Sequence, residues 1–213
     1  MTSDHNSYLL SRLTSARLGY DQLFSEASEV VVFGSRAAGV NGPDSDLDLL
    51  VITPRMDRIY AAGLDFVLLL PEDATGMFWC GSELASHISQ YGKWLKGSGE
   101  WRQNVRISRR AVLRKRQRVT GAAVNAFERW SRLHPVFQTR YSVTLRRELQ
   151  RLDLLMRQIP INPTPMLDAE WQAGLTSTER LLSLLHDLPL ISPVPHFIEQ
   201  LLARDSKAVP AGR

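Results

Sequence analysis

The order of apolar and polar positions divides the chain into a first half with strand-like runs and a second half with helical periodicity. Three short runs of β-branched and aliphatic residues predict buried strands at Glu29–Phe33, Leu47–Thr53 and Leu64–Leu70. Turn residues bound the first two runs, because Gly34-Ser35 follows one and Asn41-Gly42-Pro43-Asp44 precedes the other. We expect these two strands to be neighbours in a small sheet.

Helical spacing of apolar residues accounts for the rest of the chain. Before the first strand it predicts a helix over residues 5–27, and the segment 55–62 is predicted to be a helical connection. After Gly81, a helix is predicted from Ser82 to Leu95. From Arg106 onward strand patterns are almost absent, and prolines separate the remaining predicted helices. These lie at residues 107–132, 139–159, 167–187 and 195–204, before a frayed tail at 208–213. The predicted fold class is α/β of the α+β type, with a small mixed β-sheet followed by an all-helical second half.

The distribution of charge supports the same division. Residues 1–100 contain 7 Lys and Arg against 13 Asp and Glu, whereas residues 101–213 contain 19 against 9. The net charge of +4 therefore combines a balance of −6 with one of +10. This asymmetry predicts a sheet domain over 1–100 and a basic helical domain over 101–213 that binds an acceptor or a partner.

Composition excludes several classes of protein. Hydrophobic residues make up 44% of the chain, which is ordinary for a globular protein. The longest apolar stretch, Phe66–Leu70, is far shorter than the roughly 20 residues of a membrane span, so we expect no membrane partner. The first residues lack the layout of a secretory signal, and Cys80 alone cannot close an intrachain disulfide. We therefore expect a cytoplasmic protein.

The residues with the clearest chemical meaning follow the first strand and open the second. Residues two apart in a strand point to the same face, so Asp46 and Asp48 should project side by side. Such a carboxylate pair suits Mg²⁺, which binds one or two carboxylates together with substrate phosphates. Gly34 allows close approach of the backbone to a ligand, and Ser35 offers a hydroxyl and an amide N–H to phosphate oxygens. Two turn aspartates that only end the loop are the alternative interpretation, and the adjoining Gly-Ser turn disfavours it.

This pattern resembles the nucleotidyltransferase superfamily related to DNA polymerase β. The residues that carry the resemblance are Gly34-Ser35-Arg36-Ala37-Ala38-Gly39 and Ser45-Asp46-Leu47-Asp48-Leu49-Leu50-Val51, within residues 29–70. The sequence of these two motifs is most similar to that of the bacterial minimal nucleotidyltransferases. The resemblance implies Mg²⁺-dependent transfer of a nucleoside monophosphate, which we take to be AMP, from an NTP to a hydroxyl, with release of pyrophosphate. It also implies that Asp46 and Asp48 hold the metal ions.

Members of this superfamily usually carry a third carboxylate on a later strand. Asp65 is our candidate for this catalytic and metal-binding position, because it is an acid near the start of an apolar strand. The alternative is that Asp65 lies in the turn after Gly63 and faces water. Glu72 and Asp73 are weaker candidates, since they follow the end of the strand.

Other residues near these motifs have two interpretations each. Arg36 follows the Gly-Ser turn and is a candidate nucleotide-binding residue or a solvated side chain. His87 is interpreted as a helix-surface residue without a role. Three aromatic residues could stack on a base, although aromatics at helical spacing more often belong to the core. They are Tyr91, Trp94 and Trp101.

A run of eight basic residues without an acid lies between Arg102 and Arg118. Such a run is typical of a surface that binds a polyanion such as RNA. The candidate acceptor-binding residues are Arg102, Arg106, Arg109, Arg110 and Arg114. A solvated helix face, a contact with the acidic first half and an acidic partner protein are the alternatives.

The charge of the second half also bears on the acceptor. Some similar enzymes modify aminoglycosides, which are polycations and would be repelled by a domain of charge +10. We therefore expect a macromolecular acceptor, either RNA such as the end of a tRNA or a protein hydroxyl. The resemblance adds the option of an antitoxin whose partner is a toxin. An inactive binding module with the same fold and an antibiotic nucleotidyltransferase are the alternative functions.

Overall fold

The structure is a computed structural model that describes residue 11, residues 25–54 and residues 63–189. Within these ranges the chain divides into two compact units, with the boundary between Ile107 and Ser108. We call them the N-terminal unit and the helical unit. Some predicted segments fall wholly or almost wholly outside the described residues, namely the helices over 5–27, 55–62 and 195–204 and the tail at 208–213.

Four strands of the described chain form one mixed sheet in the N-terminal unit. They are β1 (Glu29–Phe33), β2 (Leu47–Ile52), β3 (Leu64–Leu69) and β4 (Lys93–Lys96), in the order β3-β2-β1-β4. The central strand β1 is antiparallel to β2 and β4, whereas β2 is parallel to β3. The three predicted strands are confirmed to within one residue, and so is the pairing of the first two.

Both faces of the sheet are buried at β1 and β2, which is why these two strands are nearly continuous apolar runs. Val30 and Val32 belong to one core cluster, while Val31 and Phe33 belong to a second cluster on the opposite face. The helices of this unit whose two ends both lie in the described residues are α1 (Gly34–Ala38), α2 (Pro71–Ala74), α3 (Met77–Cys80) and α4 (Glu83–Tyr91), followed by a 3-10 helix at Glu100–Asn104. Helix α4 contributes residues to that second cluster.

The predicted helix from Ser82 to Leu95 is wrong in its last four residues. Ser82 is the N-cap as expected, and its hydroxyl accepts from the Ala85 N–H, but the helix ends at Tyr91. Gly92 adopts extended backbone, and the next four residues pair with β1 as strand β4. The sequence Lys-Trp-Leu-Lys has no strong strand pattern, so its conformation depends on the backbone hydrogen bonds that the edge of β1 offers.

The helical unit contains the helices α5 (Arg109–Arg129), α6 (Pro135–Met156), α7 (Thr164–Gln172) and α8 (Thr178–His186). The all-helical prediction is confirmed for the described part of this unit, in which no β-strand occurs. Helix α6 begins four residues earlier than predicted, because Pro135 occupies its first turn and the His134 side chain caps it. The helix predicted over 167–187 is instead two helices, separated at Gly174 and capped anew by Ser177.

Ion pairs within the helical unit neutralise several of its basic residues. Lys115 is only 2% exposed and its Nζ lies 2.8 Å from Glu148 Oε2. Arg146 and Arg147 both bind the carboxylate of Asp168. The apolar core beneath them includes residues of α5, α6, α7 and α8. None of the helices in the described ranges combines the length and apolar character that a membrane crossing requires.

Candidate active site

Two of the predicted acids lie side by side where the parallel strands β2 and β3 begin. Asp48 is the register partner of Asp65 in the β2–β3 pair, and its partner on the other side is Phe33, the last residue of β1. Register partners in neighbouring strands project from the same face of a sheet. Asp65 is exposed and Asp48 is half-buried. Asp65 therefore belongs to the strand, as predicted, and not to the preceding turn, whereas its exposed side chain agrees with the alternative.

The loop before β2 presents Asp46, which is exposed. A turn at residues 42–45 shapes this loop, because the Gly42 N–H donates to Ser45 Oγ and the Ser45 N–H donates to the Gly42 carbonyl. The Arg36 guanidinium holds the loop from α1, donating from Nε to the Ser45 carbonyl over 2.9 Å. In this structure Arg36 thus orients the segment that carries Asp46, and its predicted contact with a phosphate stays a prediction.

Gly34 lies against the carboxylate of Asp48. Its φ of +73° belongs to the left-handed region, which glycine adopts without the strain that a side chain would cause. A Cβ at this position would lie 1.9 Å from Asp48 Oδ2. Only glycine therefore allows the Gly34–Ser35 turn, where β1 ends and α1 begins, to approach the carboxylate this closely. The next residue, Ser35, is half-buried in α1.

Electrostatics indicate that Asp46 and Asp65 act on the carboxyl of Asp48. Burial is the main reason that the pKa of Asp48 rises from its ordinary value of 3.8 to about 6, and the negative charges of Asp65 and Asp46 contribute to the same rise. A cation between these groups would stabilise the ionised form of Asp48, because it would offset both the burial and the repulsion.

The donor set fits a hard divalent cation. Carboxylate oxygens are the ligands that Mg²⁺ prefers, and such an ion would relieve the repulsion that the charges of Asp65 and Asp46 exert on Asp48. Among the described residues, however, no three His, Cys, Asp or Glu side chains converge into a complete metal site of their own. The arrangement therefore suits an ion that takes part of its coordination from substrate phosphates and water, as Mg²⁺ usually does.

His87 is the residue at this site that sequence reasoning missed. Its predicted position on the helix surface is wrong, since the residue is 8% exposed. Its Nε2 accepts the N–H of Gly34 at 3.2 Å, across 53 positions of the chain. The sequence signal available was weak, because α4 buries four consecutive residues, Ala85 to Ile88, and so lacks a narrow apolar stripe.

The weaker candidates for the third carboxylate lie away from Asp48. Glu72 and Asp73 are exposed in α2, which follows the carboxyl end of β3. Since β2 and β3 are parallel, that end of β3 lies beside Ile52, at the opposite end of β2 from Asp48. The structure therefore does not bring these two acids to Asp48.

The aromatic residues differ in their surroundings. Trp101 is buried and Trp94 is half-buried, and both donate their indole N–H to Glu29 Oε2, at 3.1 and 2.9 Å. Glu29 begins β1 and so lies at the end of that strand away from Gly34. These contacts favour a structural role for both tryptophans. Tyr91, in contrast, lies with its ring 5.3 Å from that of His87.

The five candidate acceptor-binding arginines are all exposed. Arg102 and Arg106 belong to the N-terminal unit, and Arg102 also covers the ring of Trp94 at 4.1 Å. The other three, Arg109, Arg110 and Arg114, lie in the first turns of α5. The remainder of the basic run includes Lys115, whose ammonium is buried in its ion pair and is not part of an exposed surface.

Comparison with known proteins identifies the segment that contains this site. Residues 16–96 match the family model described as the nucleotidyltransferase domain. The matched segment includes Gly34, Ser35 and the three aspartates, and it covers less than half of the chain. A search of curated proteins found no match to the chain. The resemblance is thus confirmed at the level of this domain, while the similarity to antitoxin-type members stays a prediction.

Proposed function

We propose that the protein is a Mg²⁺-dependent nucleotidyltransferase that moves a nucleoside monophosphate, AMP, from an NTP to a hydroxyl of a macromolecular acceptor. The observation that carries this proposal is the in-register pair of Asp48 and Asp65 beside Gly34, with Asp46 close enough to act on the pKa of Asp48. The matched nucleotidyltransferase domain supports the reaction class.

Each residue has a distinct part in this reaction. Asp46 and Asp48 hold the cation, and Ser35 donates to oxygens of the triphosphate. When bound, Mg²⁺ neutralises phosphate charge and stabilises the entering and leaving oxygens of an in-line displacement. Asp65 completes the acid cluster and accepts the proton of the attacking hydroxyl. The acceptor oxygen forms a bond to the α-phosphorus as the bond to the β-phosphate oxygen breaks, and pyrophosphate leaves.

The raised pKa of Asp48 makes cation binding depend on pH. The carboxyl of Asp48 binds a cation only when it is ionised, and its pKa is raised to about 6. Cation binding should therefore be coupled to release of a proton at and below about pH 6, and it should weaken as the pH falls through this value. Most of the catalytic effect in such a site comes from positioning and charge neutralisation.

RNA and protein hydroxyls are the acceptor classes that we propose, with a toxin protein among the latter. The exposed arginines of α5 support an anionic acceptor, because each phosphate contact adds salt-dependent affinity. Arg109→Ala and Arg114→Ala should each lower the slope of log K against log salt for RNA by about 0.7–0.9. Arg129→Ala, an exposed arginine at the other end of the same helix, is the matched control. A slope unchanged in all three variants would exclude RNA contact through this surface.

The direct test incubates the purified protein with Mg²⁺ and each NTP, radiolabelled at the α-phosphate, in a lysate of its host. The double variant Asp46→Ala, Asp48→Ala is run beside it, and Asp44→Ala serves as the control for an exposed acid in the same loop. We expect label in an RNA or protein band that is lost only in the double variant. Label on added aminoglycoside, without label on RNA or protein, would assign the acceptor to the antibiotic class.

A second candidate is an inactive binding module of the same fold. It is favoured by one observation, the exposed arginines in the first turns of α5, a surface that can bind a polyanion without any catalytic step. This candidate predicts that no NTP gives label sensitive to the aspartate substitutions. It also predicts that partner binding persists in the double variant.

A further inference from the structure

His87 connects helix α4 to the turn that carries Gly34 and Ser35. Its ring is buried between two aromatic neighbours, with Phe33 edge-on at 6.2 Å and Tyr91 tilted at 5.3 Å between ring centroids. Within this packing, Nε2 accepts the Gly34 N–H at 3.2 Å. The ring is thus held by contacts on the strand that precedes the turn and on its own helix, and it determines where the Gly34 amide points.

The direction of this hydrogen bond defines the chemical state of the imidazole. A ring nitrogen that accepts a hydrogen bond carries no proton, so this bond requires the ring form of His87 in which Nε2 is unprotonated and the proton is on Nδ1. A protonated ring would present N–H to N–H at this position. The bond also means that the Gly34 amide is directed toward α4, so it is not a donor to phosphate in this arrangement.

The Gly34 amide matters because the turn lies so close to Asp48. A Cβ on Gly34 would lie 1.9 Å from Asp48 Oδ2, so a small movement of the turn changes the distance between the Asp48 carboxylate and the Ser35 side chain. These are the groups to which we assign the cation and the triphosphate. Their spacing therefore depends on what holds the turn in place.

We propose that His87 is a positioning residue that holds the Gly34–Ser35 turn at the correct distance from Asp48 to bind the Mg²⁺ complex of a nucleoside triphosphate. This inference rests on the proposed function, because it assigns a role within the same site. We assign His87 no contact with the reacting atoms, and it acts through the Gly34 amide.

Two amide substitutions separate the hydrogen bond from the bulk of the ring. The side-chain oxygen of His87→Gln reaches the position of Nε2 and can accept the Gly34 N–H. The shorter side chain of His87→Asn reaches only the position of Nδ1. Both remove the aromatic ring, so a role confined to packing should affect them equally.

The assay is calorimetric titration with Mg²⁺ and α,β-methylene-ATP, which reports binding without an acceptor. We expect His87→Asn to weaken binding about tenfold and His87→Gln to stay within about threefold of the wild type. Thermal unfolding of both variants shows whether they fold. Once an acceptor is known, the same loss should appear in KM for the NTP more than in kcat.

Different results overturn the two proposals. Binding by His87→Asn equal to that of the wild type overturns the positioning role alone. Absence of Mg²⁺-dependent binding in the wild type overturns the proposed function and this inference with it. Long-range ¹H–¹⁵N spectra of the wild type provide a readout independent of nucleotide. A proton on Nδ1 of His87 supports the inference, and a proton on Nε2 overturns it.

Discussion

Replacing Asp48 with Asn should stabilise the metal-free protein at neutral pH while it abolishes cation binding. The carboxyl is half-buried, and it faces the charges of Asp65 and Asp46. Burial, followed by these two charges, raises its pKa from 3.8 to about 6. The ionised form is therefore unfavourable in the folded protein, and an amide of nearly the same shape removes that cost.

The sign and size of the effect follow from the shift in pKa. Because the folded-state pKa lies above the unfolded value, the stabilising contribution of the protonated carboxyl is present below pH 3.8 and is lost as the pH rises through about 6. The full shift corresponds to about 3 kcal/mol at neutral pH. Solvent screening of a partly exposed carboxyl reduces this, so we expect Asp48→Asn to gain about 1–2 kcal/mol.

Urea unfolding in the presence of a chelator measures this gain. The free energy of unfolding of Asp48→Asn and of the wild type should differ by the expected amount at about pH 8 and by much less at about pH 4. Asp44→Asn, an exposed acid of the same loop, is the control and should be within about 0.5 kcal/mol of the wild type. Added Mg²⁺ with nucleotide should stabilise the wild type and not Asp48→Asn.

Two results would refute the reasoning. An equal gain at both pH values would mean that the substitution acts through packing rather than through charge. A loss of stability at about pH 8 would mean that the Asp48 carboxylate has compensating partners in the folded protein. The charges of Asp65 and Asp46 would then not destabilise its ionised form.

Two further substitutions test the geometry of each unit. Gly34→Ala should abolish binding of the Mg²⁺–nucleotide complex, because the added Cβ collides with Asp48. Gly39→Ala is the control, since Gly39 has the same φ of +73° but no described atom within 4 Å of an added Cβ. Gly39→Ala should therefore lower the free energy of unfolding by about 1 kcal/mol and still bind in calorimetry, and equal binding by both variants would contradict the steric argument. Lys115→Ala removes a buried, ion-paired ammonium and should lower the free energy of unfolding in urea by about 3 kcal/mol. Arg114→Ala, at the exposed neighbouring residue, is the control and should lower it by less than about 0.5 kcal/mol. Similar small costs for both would show that the ion pair does not contribute.

Local patterns predicted the parts of the fold that depend on neighbouring residues in the chain. The strand runs at Glu29–Phe33 and Leu47–Ile52 were recognisable because both faces of the sheet are buried there and the runs are nearly all apolar. The helices α5 and α6 were recognisable from their periodicity. Helix ends were less predictable, because the cap at His134 and the break at Gly174 depend on single residues.

Strand β4 shows why local pattern was not sufficient. Lys93–Lys96 follows a helix and contains two lysines, so the sequence favoured continuation of that helix. It is a strand because the free edge of β1 supplies hydrogen-bond partners, and because Trp94 packs beside Trp101. Both partners lie outside the segment, so nothing within the segment itself indicates them.

The amino-acid sequence by itself determined the chemistry of the candidate site. Gly34, Ser35, Asp46 and Asp48 were identifiable because a turn and a strand place residues close in sequence at defined positions. The sequence also offered Asp65 as the third acid, but tertiary structure decided between it and the weaker candidates Glu72 and Asp73, because the parallel register that brings Asp65 to Asp48 depends on strand pairing.

The same distinction explains the two residues whose surroundings the sequence concealed. His87 contacts Gly34 across 53 positions, and Lys115 is buried against Glu148 although it belongs to a run of basic residues. Residue type determines which hydrogen bonds and charges are available. Burial and long-range packing decide which partner each one meets, because these depend on how separate elements of the chain pack together.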